Sequence, residues 1–174
     1  MVDNSSYIAR DKACLSPALN RAYPIVTAKA SGSYIYDVEG NAYLDFTSGI
    51  AVNQVGHSHP EVVRAIAEQA ALCIHTSCVT YYPAVIELGE KLATLLPGDI
   101  DTTFFSNSGA EAIDGAIKLA KLAKPGRTNI IVHKGGFHGR TIGGTSLTTS
   151  KSIYRKYYEP LLPGVHAVEY PNVY

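Results

Sequence analysis

The chain has 174 residues, 46% hydrophobic and 17% charged, which is enough for one domain with a buried core. Its 15 basic and 15 acidic residues cancel, so no net field draws it to nucleic acid or to an anionic membrane. The 3 cysteines, Cys14, Cys73 and Cys78, are odd in number and lack a framework spacing, which points to reduced thiols in a cytoplasmic protein.

The N-terminus is polar, with Asp3, Asn4, Ser5 and Ser6 followed by Arg10, Asp11 and Lys12, and lacks the apolar core of a secretory signal. No run approaches the about 20 apolar residues of a membrane span. Residues 1–30 read as an irregular lead-in. A β-hairpin is predicted over residues 33–46. Ser33–Tyr36 and Ala42–Phe46 supply aromatic and branched strand residues around a turn at Asp37–Asn41. The turn acids do not make a calcium loop, because Ser48 stands where the closing glutamate is required.

Helical periodicity follows over residues 60–72. Pro60 suits the first helical position, and Val63, Ile66, Ala67 and Ala70 share one face opposite Arg64 and Glu68. His57 and His59 lead into this helix as a turn rather than as metal ligands, and Cys73, His75 and Cys78 match no standard zinc spacing. A second helix is predicted over residues 83–96, lined by Val85, Leu88, Leu92, Leu95 and Leu96 and ended by Pro97-Gly98. A short strand is expected near Thr102–Ser106, then a helix over residues 109–124. Its inward face is Ile113, Ala116, Ile117 and Ala120, and its outward face is Asp114, Lys118 and Lys121. Ile130-Ile131-Val132 reads as a strand buried on both faces, and another strand is expected near Val165–Glu169. Strand, helix and strand in this order predict a parallel crossover in an α/β sheet.

Two segments carry chemistry. Ser108-Gly109-Ala110-Glu111-Ala112 opens a helix, where unpaired N–H groups and the helix dipole make an anion-binding cup. Ser108 and Glu111 also fit a capping box, which needs no ligand. The glycine-rich segment Gly135-Gly136-Phe137-His138-Gly139-Arg140-Thr141 follows a strand, at the place where open α/β sheets bind ligands. Phe137 offers a face for a ring, and Arg140 a bidentate fork for a carboxylate. Each of these residues also has a plain structural reading, as core filler or surface charge.

Phe104 to Ala112, Ala116-Ile117-Lys118-Leu119-Ala120 and Gly135 to Thr141 together resemble the class III aminotransferases. The resemblance extends through Tyr34-Ile35-Tyr36-Asp37, Glu39-Gly40, Tyr43-Leu44-Asp45, Gly49-Ile50-Ala51-Val52 and Gly56-His57-Ser58-His59-Pro60 to Leu162-Pro163-Gly164-Val165. It implies the aspartate-aminotransferase-type (fold type I) fold and pyridoxal 5'-phosphate (PLP) as cofactor. The fold would be represented by a partial parallel sheet with flanking helices plus an N-terminal β-hairpin. Residues 1–55 would belong to the small domain and residues 56–174 to the large cofactor-binding domain.

The resemblance also implies roles. Ser108, Gly109 and Ala110 would hold the cofactor phosphate, Phe137 would stack on the pyridine ring, and His138 would support that wall. Arg140 would take the substrate carboxylate and Ile50 would line the substrate pocket. The implied activity moves an amino group from an ω-amino acid, with 4-aminobutyrate favoured, to 2-oxoglutarate in a homodimer. Acetylornithine and ornithine aminotransferases share most of these motifs and stand as the alternative. A non-catalytic α/β module using the cup for another phosphate ligand is the alternative of a different class. Transamination needs a lysine amine to bond the cofactor and an acid at the pyridine nitrogen, and no lysine here sits at the matching place. The chain is therefore expected to be the N-terminal portion of a longer enzyme, without a catalytic residue of its own.

Overall fold

The computed structural model describes residues 3–172. By contacts within the chain it divides into two compact units, Met1–Tyr81 and Tyr82–Tyr174. That criterion differs from the small-domain and large-domain division expected from the resemblance.

The first unit begins with an element that the sequence reading missed. Helix α1 (Asn4–Cys14) replaces the expected irregular lead-in, capped by the Asp3 side chain, which accepts from Ser6 N. Its apolar periodicity is weak, so its position comes from distant partners. Asn4 Nδ2 donates to Asp37 Oδ2 at 2.9 Å, Asn4 N donates to Glu39 Oε1 at 2.8 Å, and Val26 N donates to Asn4 Oδ1 at 2.8 Å. The lead-in also contains strand β1 (Thr27–Ser31), which pairs antiparallel with β2 (Tyr34–Asp37). The predicted hairpin forms, with β2 antiparallel to β3 (Ala42–Leu44) in the register Tyr34 to Leu44. The result is a three-stranded sheet in the order β1-β2-β3.

Asp37 is the knot of this unit. It is buried, with 3% exposure, and accepts from Asn4, Asn41 Nδ2, Asn41 N, Glu39 N and the Tyr43 hydroxyl. Burial opposes its ionisation, but hydrogen bonds from Asn41, Asn4 and Tyr43 outweigh it and hold the carboxyl well below the usual range. A carboxylate with a lowered folded pKa stabilises the fold above its unfolded value, about 3.9, and loses that contribution as the pH falls through the folded value. Acidification from about pH 5 to about pH 2 should therefore release α1, read from the NMR shifts of the Asn4 and Val26 amides. In Asp37→Asn the Val26 amide, which donates to the non-titrating Asn4 Oδ1, should largely cease to follow pH in this window.

After β3 comes a single turn, α2 (Ser48–Ala51). Helix α3 (Pro60–Leu72) has the predicted bounds, with Pro60 in its first turn. Its expected inward face is not covered: Val63 is 50% and Ile66 64% exposed. Arg64 instead bridges Glu61 and Glu68 along the helix surface.

The second unit holds α4 (Pro83–Ala93), α5 (Gly109–Ala123), β4 (Ile130–His133), α6 (Ile142–Leu147), the 3-10 turn η1 (Ser152–Tyr154) and β5 (Val165–Val168). Helix α4 stops short of the expected 96; Leu95 N and Leu96 N turn back on Leu92 O instead. Strands β4 and β5 pair in parallel, Ile130 with Val165 through His133 with Val168. The strand expected at Thr102–Ser106 does not form. A strand exists only against a hydrogen-bonding neighbour, and β4 and β5 pair with each other alone among the described residues. The Phe104 ring lies over Gly115 of α5 instead, where an added Cβ would stand 3.0 Å from Phe104 Cε1. Nor is β4 covered on both faces: Val132 is buried, whereas Ile131 is 71% exposed.

The tightest packing of the unit lies in α6, which the sequence reading did not anticipate. Gly144, Thr145, Ser146 and Leu147 are all buried. Asp114, expected on the outer face of α5, is turned toward α6, where a methyl group on Gly143 would overlap Asp114 Oδ1. Among the described residues no helix is long and apolar enough to cross a membrane.

Candidate functional site

Extended backbone at Ser108 (φ −157°, ψ 159°) delivers the chain into α5 as its N-cap. Ser108 Oγ accepts from Glu111 N at 3.2 Å, so half of the capping box is present. The reciprocal bond is displaced by one residue: Glu111 Oε2 accepts from Asn107 N at 2.7 Å, rather than from Ser108 N. Capping and ligand binding are compatible in this geometry. The cap uses a lone pair of the Ser108 oxygen, so its O–H remains a donor. Ala112 N is satisfied by Ser108 O, which leaves the N–H groups of Gly109 and Ala110 as the first-turn donors that point out of the helix. Space for a ligand exists at Gly109, where an added Cβ would meet nothing within 4 Å.

The Gly135–Thr141 segment is folded directly onto this helix end. A Cβ on Gly139 would stand 2.6 Å from Ala110 Cβ and 2.8 Å from Ala110 Cα, and Gly139 has a φ of +111°. Only glycine permits both the close approach and that backbone conformation. The contact sets the backbone of the loop that carries Phe137, His138 and Arg140 against the first turn of α5, within one unit. Thr148, fully buried, staples the loop from behind. Its Oγ1 accepts from His138 N at 2.9 Å and lies 2.9 Å from Gly144 O and 3.2 Å from Gly139 O, which share its one proton. Thr149 adds a second tie, accepting from Gly136 N at 3.2 Å and donating to His133 O at 2.8 Å.

The side chains of the loop take different directions. Phe137 is 53% exposed, its ring edge-on to Tyr154 at 5.3 Å between centroids. The His138 ring folds back over Gly136, where a Cβ would be 3.0 Å from Nε2. It shares a recess with Ile113, Val132 and Leu147. Arg140 is exposed.

Ile50 lies in the other unit, in α2. The turn is left-handed: Ser48, Gly49, Ile50 and Ala51 have φ of 51°, 65°, 60° and 61°. Each non-glycine residue in that region costs roughly 1–2 kcal/mol, and the β-branched Ile50 is the least tolerant. Ile50 is nevertheless 91% exposed, so no packing of its own side chain repays the strain.

Asp45 holds the turn. Its Oδ1 accepts from Thr47 N at 2.8 Å, Thr47 Oγ1 at 2.7 Å and Ser48 N at 3.0 Å, and its Oδ2 lies 2.7 Å from His57 Nε2. Hydrogen bonds from Thr47 first, then from His57, hold the Asp45 carboxyl well below its ordinary range. In the sequence Asp45 stands out only as part of the Tyr43-Leu44-Asp45 motif, with no role attached, and Thr148 does not stand out at all. A lone acid after a strand and a threonine that ends a glycine-rich helix carry no local signal of their distant partners.

An open helix start with a glycine loop pressed against it forms a cradle on an α/β scaffold, with open space at Gly109. Over residues 16–174 the chain matches the family model of the class-III aminotransferases, and it belongs to that family. It is 42% identical over 151 residues to an acetylornithine aminotransferase of Methanopyrus kandleri, covering 87% of this chain and 38% of that protein. Against the acetylornithine aminotransferase of Caldanaerobacter subterraneus the identity is 45% over 162 residues, covering 90% of this chain and 40% of that protein. A solved structure of ornithine aminotransferase from Toxoplasma gondii, with PLP at partial occupancy in its active site, superimposes with a TM-score of 0.86 at 25% identity. That match covers 96% of this chain and 40% of the other.

The chain thus spans about two fifths of the length of these relatives, and its fold is part of the fold type I architecture of PLP-dependent transaminases. The family cofactor fits the cradle, since the open space at Gly109 and the donors beside it suit a phosphate. These relatives are named acetylornithine and ornithine aminotransferases, and none is named for 4-aminobutyrate.

Proposed function

We propose that this chain supplies the cofactor-phosphate cup and one wall of the active site of a PLP-dependent aminotransferase. Its amino donor is N-acetylornithine or ornithine, and its acceptor is 2-oxoglutarate. The observation that carries the reading is the contact of Gly139 with Ala110, which joins the cup to the Phe137–Arg140 loop. The backbone N–H groups of Gly109 and Ala110 and the Ser108 hydroxyl hold the phosphate. Phe137 presents its exposed ring as a stacking face. His138 supports that wall from the recess behind it. When bound, PLP supplies an electron-accepting ring that labilises bonds at the amino-bearing carbon. Arg140 takes a substrate carboxylate in its guanidinium fork, and Ile50 lines the substrate pocket. No catalytic lysine is assigned to this chain. The working assembly is a homodimer, a reading that rests on the family resemblance.

The donor is tested by comparing kcat/KM for N-acetylornithine, ornithine and 4-aminobutyrate in the active enzyme. A higher value for 4-aminobutyrate than for both others would overturn N-acetylornithine or ornithine as the donor. Arg140→Ala should raise KM for 2-oxoglutarate by roughly tenfold or more, because a charge-assisted bidentate pair is lost. Unchanged kinetics would remove Arg140 from the site. Thermal protection of the chain by PLP, but not by ATP or NAD, would separate this reading from a general phosphate-binding module.

A further inference from the structure

We propose that Asp45 and His57 form a latch that positions Ile50, and that this latch sets how the enzyme discriminates among amino donors. The inference rests on the reading of Ile50 as a substrate-lining residue. Its physical basis is independent of that reading. The Ser48–Ala51 turn has a backbone that L-residues avoid, and Ile50 is too exposed to hold it. The restraint comes from outside the turn. Asp45 takes three hydrogen bonds from Thr47 and Ser48 at the entry, and the Ser48 hydroxyl closes the exit by donating to Asn53 O at 2.8 Å.

Asp45 is itself held. Its side chain is 3% exposed, and His57 Nε2 lies 2.7 Å from its free oxygen. The backbone of His57 exchanges two hydrogen bonds with Gly32, at 3.0 and 2.8 Å. That pairing anchors the histidine to the loop between β1 and β2. Asp45 directly follows β3. Both halves of the latch are therefore tied to the three-stranded sheet, and the turn is hung between them. Strained backbone that is over-determined by its surroundings is a recurrent feature of ligand-clamping segments. Asp45 and His57 act here as positioning residues, through Ile50.

The test uses His57→Ala, with Asp45→Asn as a second variant that keeps the carboxylate shape. When the latch is closed, the amides of Ala51, Val52 and Asn53 are bonded to Thr47 O and Ser48 O. Hydrogen exchange at these amides should speed up by at least about tenfold in either variant, while Gly109–Ala123 exchanges at its original rate. In the active enzyme, the ratio of kcat/KM for N-acetylornithine to that for ornithine should shift by about fivefold or more in His57→Ala. Ile50→Ala should shift it comparably, and the double variant should shift it no further than Ile50→Ala alone. Unchanged exchange at residues 51–53 overturns the latch. Faster exchange with a ratio altered by Ile50→Ala but not by His57→Ala overturns its part in discrimination. A ratio altered by neither variant overturns the substrate role assigned to Ile50, and the discrimination proposal with it.

Discussion

Gly139→Ala is expected to weaken PLP binding by about two orders of magnitude and to lower the melting temperature of the chain. The added methyl would press on both Cα and Cβ of Ala110. Ala110 belongs to the first turn of α5, so it cannot give way without moving the donors of the cup. Overpacking of this kind costs about 1–3 kcal/mol. An L-residue at a φ of +111° adds a further cost of about 1–3 kcal/mol. Every 1.4 kcal/mol expressed in binding is about tenfold in affinity. Gly135→Ala separates the two costs, because Gly135 has a φ of +84° but nothing within 4 Å of an added Cβ. It should lower stability by the backbone cost alone and leave PLP affinity within a few-fold. Titration with PLP followed by absorbance, with a melting curve for each variant, reads both effects. Equal affinities for the two variants would show that the contact with Ala110 does not shape the cup.

Thr148→Val should destabilise the second unit although it preserves the shape of the side chain. The His138 N–H would lose its acceptor, and the carbonyls of Gly139 and Gly144 would lose the proton they share. A buried group left unpaired costs about 1–3 kcal/mol. In a chain of this size each kcal/mol lowers the melting temperature by about 2–4 °C. Thr148→Ser keeps the hydroxyl and loses only a methyl, so it should retain most of the stability. The affinity for PLP should fall in Thr148→Val and not in Thr148→Ser, because the staple sets the path of the loop that carries Phe137 and Arg140. Equal losses in both variants would assign the role of Thr148 to packing instead.

These two positions illustrate what a local reading of the chain misses. Thr148 and Gly139 have no sequence neighbours that announce their partners. The same is true of Ile142–Leu147, which contains Gly143 and Gly144. Each glycine inside a helix costs about 1 kcal/mol relative to alanine, so propensity argues against α6. The fold selects those glycines for another reason. A Cβ at 144 would stand 2.6 Å from His138 O, and one at 143 would overlap Asp114. Helix α1 escaped notice in the same way, since Asn4 and Asp37 hold it across the hairpin. The strand expected at Thr102–Ser106 failed for the converse reason: its composition suits a strand, but the second unit offers it no pairing edge.

The elements whose determinants lie within a few residues of one another were decided by sequence alone. Pro60 and Pro83 start helices, Ser108 caps α5, and the aromatic and branched residues on either side of Asp37–Asn41 form the hairpin. The order of these motifs also carried the family and the cofactor. The tertiary structure alone decided the close approach of Gly139 to Ala110, the staple at Thr148, and the left-handed turn that Asp45 and His57 hold under Ile50. Capping and periodicity are short-range effects written in adjacent side chains, whereas these three features depend on where distant parts of the chain meet when it closes on itself.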